Sequence, residues 1–120
     1  MPKDVDAVSK VVIVWKNKCL LLCREDGKGW ELPGGHLNLG ENFVTGAIRE
    51  VFEETKIKIS KLKLIYKEKD YRLFACRAKL LKVTLSNEHT DFKWVNRTEL
   101  LHTKITTSTK NNVKHIINLL

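Results

Sequence analysis

The chain predicts an α/β fold in which a mixed β-sheet lies between helices, and three observations carry that expectation. Apolar, β-branched runs of strand length stand on both sides of one long amphipathic stretch. A second amphipathic stretch closes the chain, and no repeat or low-complexity segment interrupts the order β, β, α, β, β, β, α. Strands and helices in this mixed order suit a sheet covered by helices on its two faces. At 120 residues the chain is read as one domain, 1–120, long enough to bury a sizeable core.

The elements follow in order. Ala7 to Trp15 and Lys18 to Arg24 are apolar and β-branched, and the polar pair Lys16-Asn17 between them reads as a hairpin turn. Asp26-Gly27-Lys28-Gly29 is a loop that delivers the chain to Trp30, Pro33 and the pair Gly34-Gly35. A helix comes next: Phe43, Val44, Ala47, Ile48, Val51 and Phe52 recur at the spacing of an inward-facing stripe. Asn42 is placed to cap it, and Glu41 near its start is favoured by the helix dipole. Leu62 to Lys67, Tyr71 to Leu80 and Phe92 to Val95 read as strands. The last helix is expected to start at Thr107 or Ser108 as cap, with Val113, Ile116, Ile117 and Leu120 on its apolar face.

Composition narrows the function classes. Lysine and arginine number 22 against 14 acidic residues, a formal charge of +8, so the field of the molecule attracts polyanions such as nucleotides, pyrophosphates or RNA ends. Lys61, Lys63, Lys67 and Lys69 alternate along expected strands, which a solvated polar face explains as well as a nucleic-acid track does. No signal peptide is recognisable and no apolar run approaches a membrane span, so the expectation is a cytoplasmic protein with no membrane partner, monomeric or homodimeric. Cys19, Cys23 and Cys76 are odd in number and lack paired metal-ligand spacing, which favours reduced thiols. Four histidines without ligand spacing make no zinc site, although His36 and His89 are candidates to touch a substrate.

The acid in this basic chain is concentrated where it matters. In a helix, residues three and four apart share a face, so Glu50, Glu53 and Glu54 project their carboxylates toward one small volume. Three adjacent negative charges repel unless solvent or a cation relieves them, and hard carboxylate oxygens suit Mg²⁺ or Mn²⁺. Arg49, four residues before Glu53, is placed to orient a carboxylate through a charge-assisted bond.

The segment from Gly35 to Ile57 resembles the Nudix box, G-x5-E-x7-R-E-U-x-E-E-x-G-U with U aliphatic. Gly35, Glu41, Arg49, Glu50, Val51, Glu53, Glu54 and Ile57 all fall in place, and Lys56 stands where the family has its last glycine. The flanking Trp30-Glu31-Leu32-Pro33-Gly34-Gly35, Asp91-Phe92-Lys93-Trp94-Val95 and Glu99-Leu100-Leu101 also resemble the family. That glycine follows the helix, where a left-handed backbone is easiest without a Cβ, so lysine there should cost roughly 1 kcal/mol if the turn is kept.

The resemblance implies an α/β/α sandwich and Mg²⁺-dependent hydrolysis, with Mn²⁺ as a substitute, of a nucleoside diphosphate linked to another group. It implies Glu50, Glu53, Glu54 and the carbonyl oxygen of Gly35 as metal ligands, Arg49 as orienting group and Glu41 as an outer partner. Glu53 is the first choice for the base, with Glu88 as the later-loop glutamate that some members use. Arg24, Gly34 and Gly35 are the candidate substrate-phosphate contacts, and Trp30, Tyr71 or Phe74 the aromatic that stacks on a base. The family's proline marker for ADP-ribose hydrolases is replaced by Arg72, its tyrosine marker for diadenosine polyphosphate hydrolases by Phe74, and no long extension is present. The implied protein is a small MutT-like enzyme acting on nucleoside or deoxynucleoside triphosphates. The alternatives are an ADP-ribose or dinucleoside polyphosphate hydrolase, an RNA 5′-end pyrophosphohydrolase, and a catalytically silent nucleotide sensor.

Overall fold

A computed structural model describes residues 2–79 and 82–120. The long apolar run at the start forms β1 (Lys3–Trp15), which turns through Lys16 and Asn17 into β2 (Lys18–Arg24). Both turn residues have positive φ, 49° and 60°, the conformation a two-residue hairpin between right-twisted strands requires. Two short strands follow, β3 (Trp30–Glu31) and β4 (Gly34–Asn38), then helix α1 (Phe43–Thr55). Strands β5 (Lys63–Glu68), β6 (Tyr71–Arg77) and β7 (His89–Val95) precede three short helices, α2 (Arg97–Leu101), α3 (Thr107–Lys110) and α4 (Val113–Ile117).

One seven-stranded sheet results, ordered β3-β2-β1-β6-β5, with β4 also paired to β1 and β7 to β2. The pairing of β1 with β6 is parallel and the others are antiparallel, so the sheet is mixed as expected. Side chains of β1 and β2 alternate between two cores. Val11, Ile13, Leu20 and Leu22 pack with Ala47 and Val51 of α1, whereas Val12, Val14, Cys19 and Leu21 pack with Leu100 of α2 and Ile116 of α4. A sheet buried on both faces explains why these strands read as unbroken apolar runs rather than as alternating ones.

Several boundaries differ from the sequence reading. β1 begins at Lys3 rather than Ala7 and β7 at His89 rather than Phe92, because the antiparallel partners β4 and β2 offer backbone groups to the polar ends of both strands. β6 ends at Arg77, and Leu80, the expected end of that strand, lies outside the described residues. The final helix is two short ones, capped first by Thr106, whose side chain accepts from the Thr109 N–H. α2 was not anticipated at all; it starts with a capping box in which Asn96 and Glu99 bond each other's backbone N–H. Lys63 and Lys67 lie exposed on β5 as a solvated face, while Lys61 and Lys69 fall in turns.

The buried stripe of α1 is rotated from the expected one. Ala47 and Val51 are at its centre, Val44 is 45% and Phe52 36% exposed, and the buried positions include Glu50 and Glu54. At the other end of the helix Lys56 adopts the left-handed conformation, φ 63° and ψ 13°, and its N–H donates to the Phe52 carbonyl at 2.8 Å. The turn of the missing glycine is therefore kept by a residue with a Cβ. Its ammonium lies 5.2 Å from the centre of the Phe52 ring, a contact that offsets part of the strain. Lys56→Gly is expected to stabilise the fold by somewhat less than about 1 kcal/mol with activity retained. Thermal melting checks it; a melting point that fails to rise would mean that the ring contact cancels the backbone strain.

Candidate active site

The site is assembled where α1 crosses β4 and the N-terminal part of β1. Asn42 accepts from the Thr45 N–H at 2.8 Å and so starts the helix, and the Ser9 hydroxyl donates to the Phe43 carbonyl at 2.8 Å, fastening that start to β1. Gly34 approaches β1 so closely that a Cβ would lie 2.2 Å from the Ser9 carbonyl oxygen, at a φ of +128°. Only glycine fits there. The close approach lets the Gly34 N–H reach across to the Glu54 carboxylate at 2.8 Å. Gly35 lies against Glu50 in the same way: a Cβ on it would be 2.9 Å from a Glu50 carboxylate oxygen.

Arg49 organises the acidic cluster. Its guanidinium donates to both oxygens of Glu41 at 2.8 Å, to Glu50 at 3.0 Å, to Glu53 at 2.8 Å and to the His36 carbonyl at 3.1 Å. Glu41, held by these bonds, lies below the ordinary carboxylate range and also accepts the Asn38 N–H, closing the loop before the helix. Glu50 is 8% exposed and additionally bound by Lys3 at 3.0 Å. Charge that the sequence leaves to a cation or solvent is thus partly neutralised by the chain itself.

Glu54 differs from its neighbours. It is 4% exposed, and no salt bridge reaches it among the described residues; burial pushes its carboxyl up to about 7, against the opposing charge of Lys10 and the Gly34 N–H. Glu88, the last residue of the segment before β7, and His89, the first residue of β7, come to it. That segment is tied to the end of α1 by Thr84 N–H to Thr55 and Ser86 N–H to Glu54 backbone bonds of 2.9 and 3.3 Å. One ligand atom each from Glu54, Glu88 and His89 lie within 4.8 Å of one another. The structure therefore brings the later-loop glutamate to the helix cluster, while Arg49 draws Glu50 and Glu53 to its own side.

Sequence reasoning left out a second, largely buried network. Lys10 donates to Glu31 at 3.4 Å and to the Leu32 and Gly34 carbonyls, and Arg24 donates to Glu31 at 3.2 Å while pairing with Asp26 at 2.6 Å. His89 completes it through Nε2, 2.8 Å from Glu31. Burial opposes ionisation of Glu31, yet the His89 bond and the charges of Lys10 and Arg24 outweigh it and hold the carboxyl down at about 2. Lys10, the one charged residue of the run Ala7 to Trp15, was the available signal for this network.

A cleft of about 800 Å³ opens over both networks and is lined by Glu31, Glu50, Glu53, Glu54 and Glu88 together with Lys3, Lys10 and Arg24. Tyr71 lines it as well, its hydroxyl accepting from Asn112 at 2.8 Å. The other two aromatics expected near a base lie elsewhere: Phe74 is buried in the core under α1, and Trp30 packs in the opposite core with the Lys93 ammonium 4.3 Å from its ring centre. Phe74 stands on β6 between β1 and β5, and Trp30 on the edge strand β3 is held from its free side by a bridge to Ile105, so apolar packing claims both.

The opposed carboxyl shifts give the metal-free protein a defined pH response. Glu54 holds its proton more tightly folded than unfolded, so its contribution is present at low pH and is lost as pH rises from about 4.5 toward 7, by on the order of 3 kcal/mol. Glu31 and Glu41 act oppositely, and their contribution disappears as pH falls below the ordinary carboxylate range. Metal-free stability is expected to peak near pH 5, as read by thermal melts across pH. A divalent cation that binds ionised Glu54 should raise the melting point at pH 8 more than at pH 5.5.

Comparison with known proteins agrees with this architecture. A family model for the NUDIX domain matches residues 5–116. A MutT-like protein from Streptomyces ambofaciens is 33% identical over 100 residues, covering 78% of this chain and 65% of that protein. The asymmetrical bis(5'-nucleosyl)-tetraphosphatase of Mus musculus is 33% identical over 95 residues, 67% of this chain and 65% of its own length. This chain thus spans a little under two thirds of the length of either curated relative. The crystal structure of a MutT protein from Methanosarcina mazei Go1 shares the fold with a TM-score of 0.70 at 24% identity, over 94% of this chain and 91% of that one. With Gly35, Glu50, Glu53 and Glu54 of the box on one cleft and the domain matched over residues 5–116, the chain belongs to the NUDIX domain family.

Proposed function

We propose that the protein is a Mg²⁺-dependent pyrophosphohydrolase acting on a nucleoside or deoxynucleoside triphosphate, which it cleaves to the monophosphate and pyrophosphate. The observation that carries this reading is a single cleft shared by five carboxylates and three cationic side chains. The donors Glu50, Glu53, Glu54 and the Gly35 carbonyl are hard oxygens, and Glu54 is buried with the Gly34 N–H on its carboxylate, a set that fits a hard divalent cation. Bound there, the cation would share the charge of the anhydride and lower the pKa of an attacking water.

The chain's own residues do the rest. Arg49 fixes the carboxylates before substrate arrives, so little reorganisation remains for the reaction. Glu53, with its side chain 51% exposed at the cleft, is the group assigned to take the proton from water, and Glu88 is a second carboxylate in reach of the same space. Lys3 and Arg24, with side chains 44% and 38% exposed, are free enough to meet phosphate oxygens. Tyr71 offers an aromatic edge to the base. A cleft of about 800 Å³ suits a mononucleotide and lies within the range of sites for compact ligands.

Dinucleoside polyphosphate hydrolysis is the second reading, favoured by the mouse relative's named activity. The experiment is a panel of canonical and oxidised nucleoside triphosphates, ADP-ribose, diadenosine polyphosphates, NADH and triphosphorylated RNA, each with Mg²⁺ and Mn²⁺. A nucleoside triphosphate is expected among the best substrates. Much faster turnover of ADP-ribose or a dinucleoside polyphosphate would move the substrate class and leave the metal site standing. Failure to cleave any of them would leave a nucleotide sensor.

A further inference from the structure

We propose that His89 is a nitrogen ligand in a divalent-cation position made with Glu54 and Glu88, and that this nitrogen biases the cleft toward Mn²⁺ relative to Mg²⁺. The inference deepens the hydrolase reading and rests on it for the cation's use, though not for its binding.

Three observations converge. First, a ring nitrogen of His89 and carboxylate oxygens of Glu54 and Glu88 lie within 4.8 Å of one another, so a cation between them needs only small side-chain adjustments. Second, the His89 side chain is 2% exposed and its Nδ1 is buried with no hydrogen-bond partner, the one such side-chain atom among the described residues. A buried polar atom left unmatched is costly, and its persistence calls for an occupant. Third, the other nitrogen is already committed. Nε2 lies 2.8 Å from the Glu31 carboxylate, which Lys10 and Arg24 also bind. With Nε2 turned to that carboxylate, Nδ1 is the ring nitrogen left to meet a cation. A carboxylate behind an imidazole, fixing its tautomer and orientation, is the usual support of a metal-binding histidine.

The ligand chemistry sets the preference. Mg²⁺ takes oxygen donors almost alone and holds its waters tightly, whereas Mn²⁺ accepts a nitrogen with less loss. Glu50, Glu53 and the Gly35 carbonyl supply oxygen only. His89 is the residue that distinguishes the two ions. Lys10 serves as a positioning residue here, since it holds Glu31 and, through Glu31, the ring.

The probe is Mn²⁺ itself, added below one equivalent to the whole chain without nucleotide, with electron spin-echo envelope modulation as the readout. Modulation from a directly bound ¹⁴N is expected, changing to the ¹⁵N pattern when the histidines are ¹⁵N-labelled and surviving in His36→Gln, which alters the histidine that lines the cleft, whereas His89 lies beside it with Glu31 and Glu88. In His89→Gln the modulation should vanish and Mn²⁺ should bind about tenfold more weakly, with Mg²⁺ affinity changed less. The labelling and His36 arms keep the test decisive if His89→Gln does not fold. Mn²⁺ bound without nitrogen modulation, modulation lost in His36→Gln, or modulation kept in folded His89→Gln would each overturn the site. A clear nitrogen signal in a protein that hydrolyses nothing would retain the site and sink the hydrolase reading instead.

Discussion

Glu54→Gln should lower turnover at least about a hundredfold while leaving the metal-free protein as stable as the wild type or more so at pH 8. The two effects separate because glutamine copies the shape of the protonated carboxyl and can still accept the Gly34 N–H, but cannot become the anion that a cation needs. The burial that pushes this carboxyl up to about 7 opposes its ionisation in the metal-free fold and disappears with the charge. The melting-point rise on adding Mg²⁺ should shrink in parallel. Glu53→Gln is expected to lose turnover on a similar scale, with little change in metal-free stability, because that side chain is half exposed and its partner Arg49 keeps other carboxylates. Initial rates with Mg²⁺ on the nucleotide panel, beside melts with and without the ion, decide both. Wild-type rates in the two variants would remove the site assignment.

What could be read from the sequence is what short-range periodicity encodes. The Asn42 cap, the helix beyond it, the Lys16-Asn17 hairpin and the two-faced core all depend on residues a few positions apart. The same locality explains the oversights. β3 has two residues and β4 opens on a glycine pair after a proline, so neither carries an alternation to detect, and both exist only because β2 and β1 offer edges. The capping box of α2 was in plain view in Asn96 to Glu99 but was absorbed into the family likeness of Glu99-Leu100-Leu101. Val44 and Phe52 were assigned to the core because a one-dimensional stripe does not say how wide the covering surface is; the sheet receives Ala47 and Val51, and the flanks remain exposed. Glu31 and His89 are 58 positions apart, and nothing local in either segment announces their contact.

Arg49 marks the limit of that reading, since the sequence gives it one carboxylate to orient and the structure gives it three. Arg49→Met is expected to destabilise the metal-free fold by about 3 kcal/mol, because Glu41 and Glu50 are largely buried and would be left as anions with only Lys3 nearby. Mg²⁺ should recover part of that loss by taking over the compensation, so the melting-point rise on adding the ion should be larger in Arg49→Met than in the wild type. A merely structural arginine would give no such gain. Turnover should fall at least about tenfold even at saturating Mg²⁺, since the carboxylates lose their fixed orientation. Arg49→Lys should restore little of either property: a single ammonium cannot span both oxygens of Glu41 and also reach Glu50, Glu53 and the His36 carbonyl. Melts at several Mg²⁺ concentrations for the three proteins make the comparison. An Arg49→Met variant that is destabilised equally with and without the ion would show that the guanidinium packs the helix to its loop and does not balance the charge of the site.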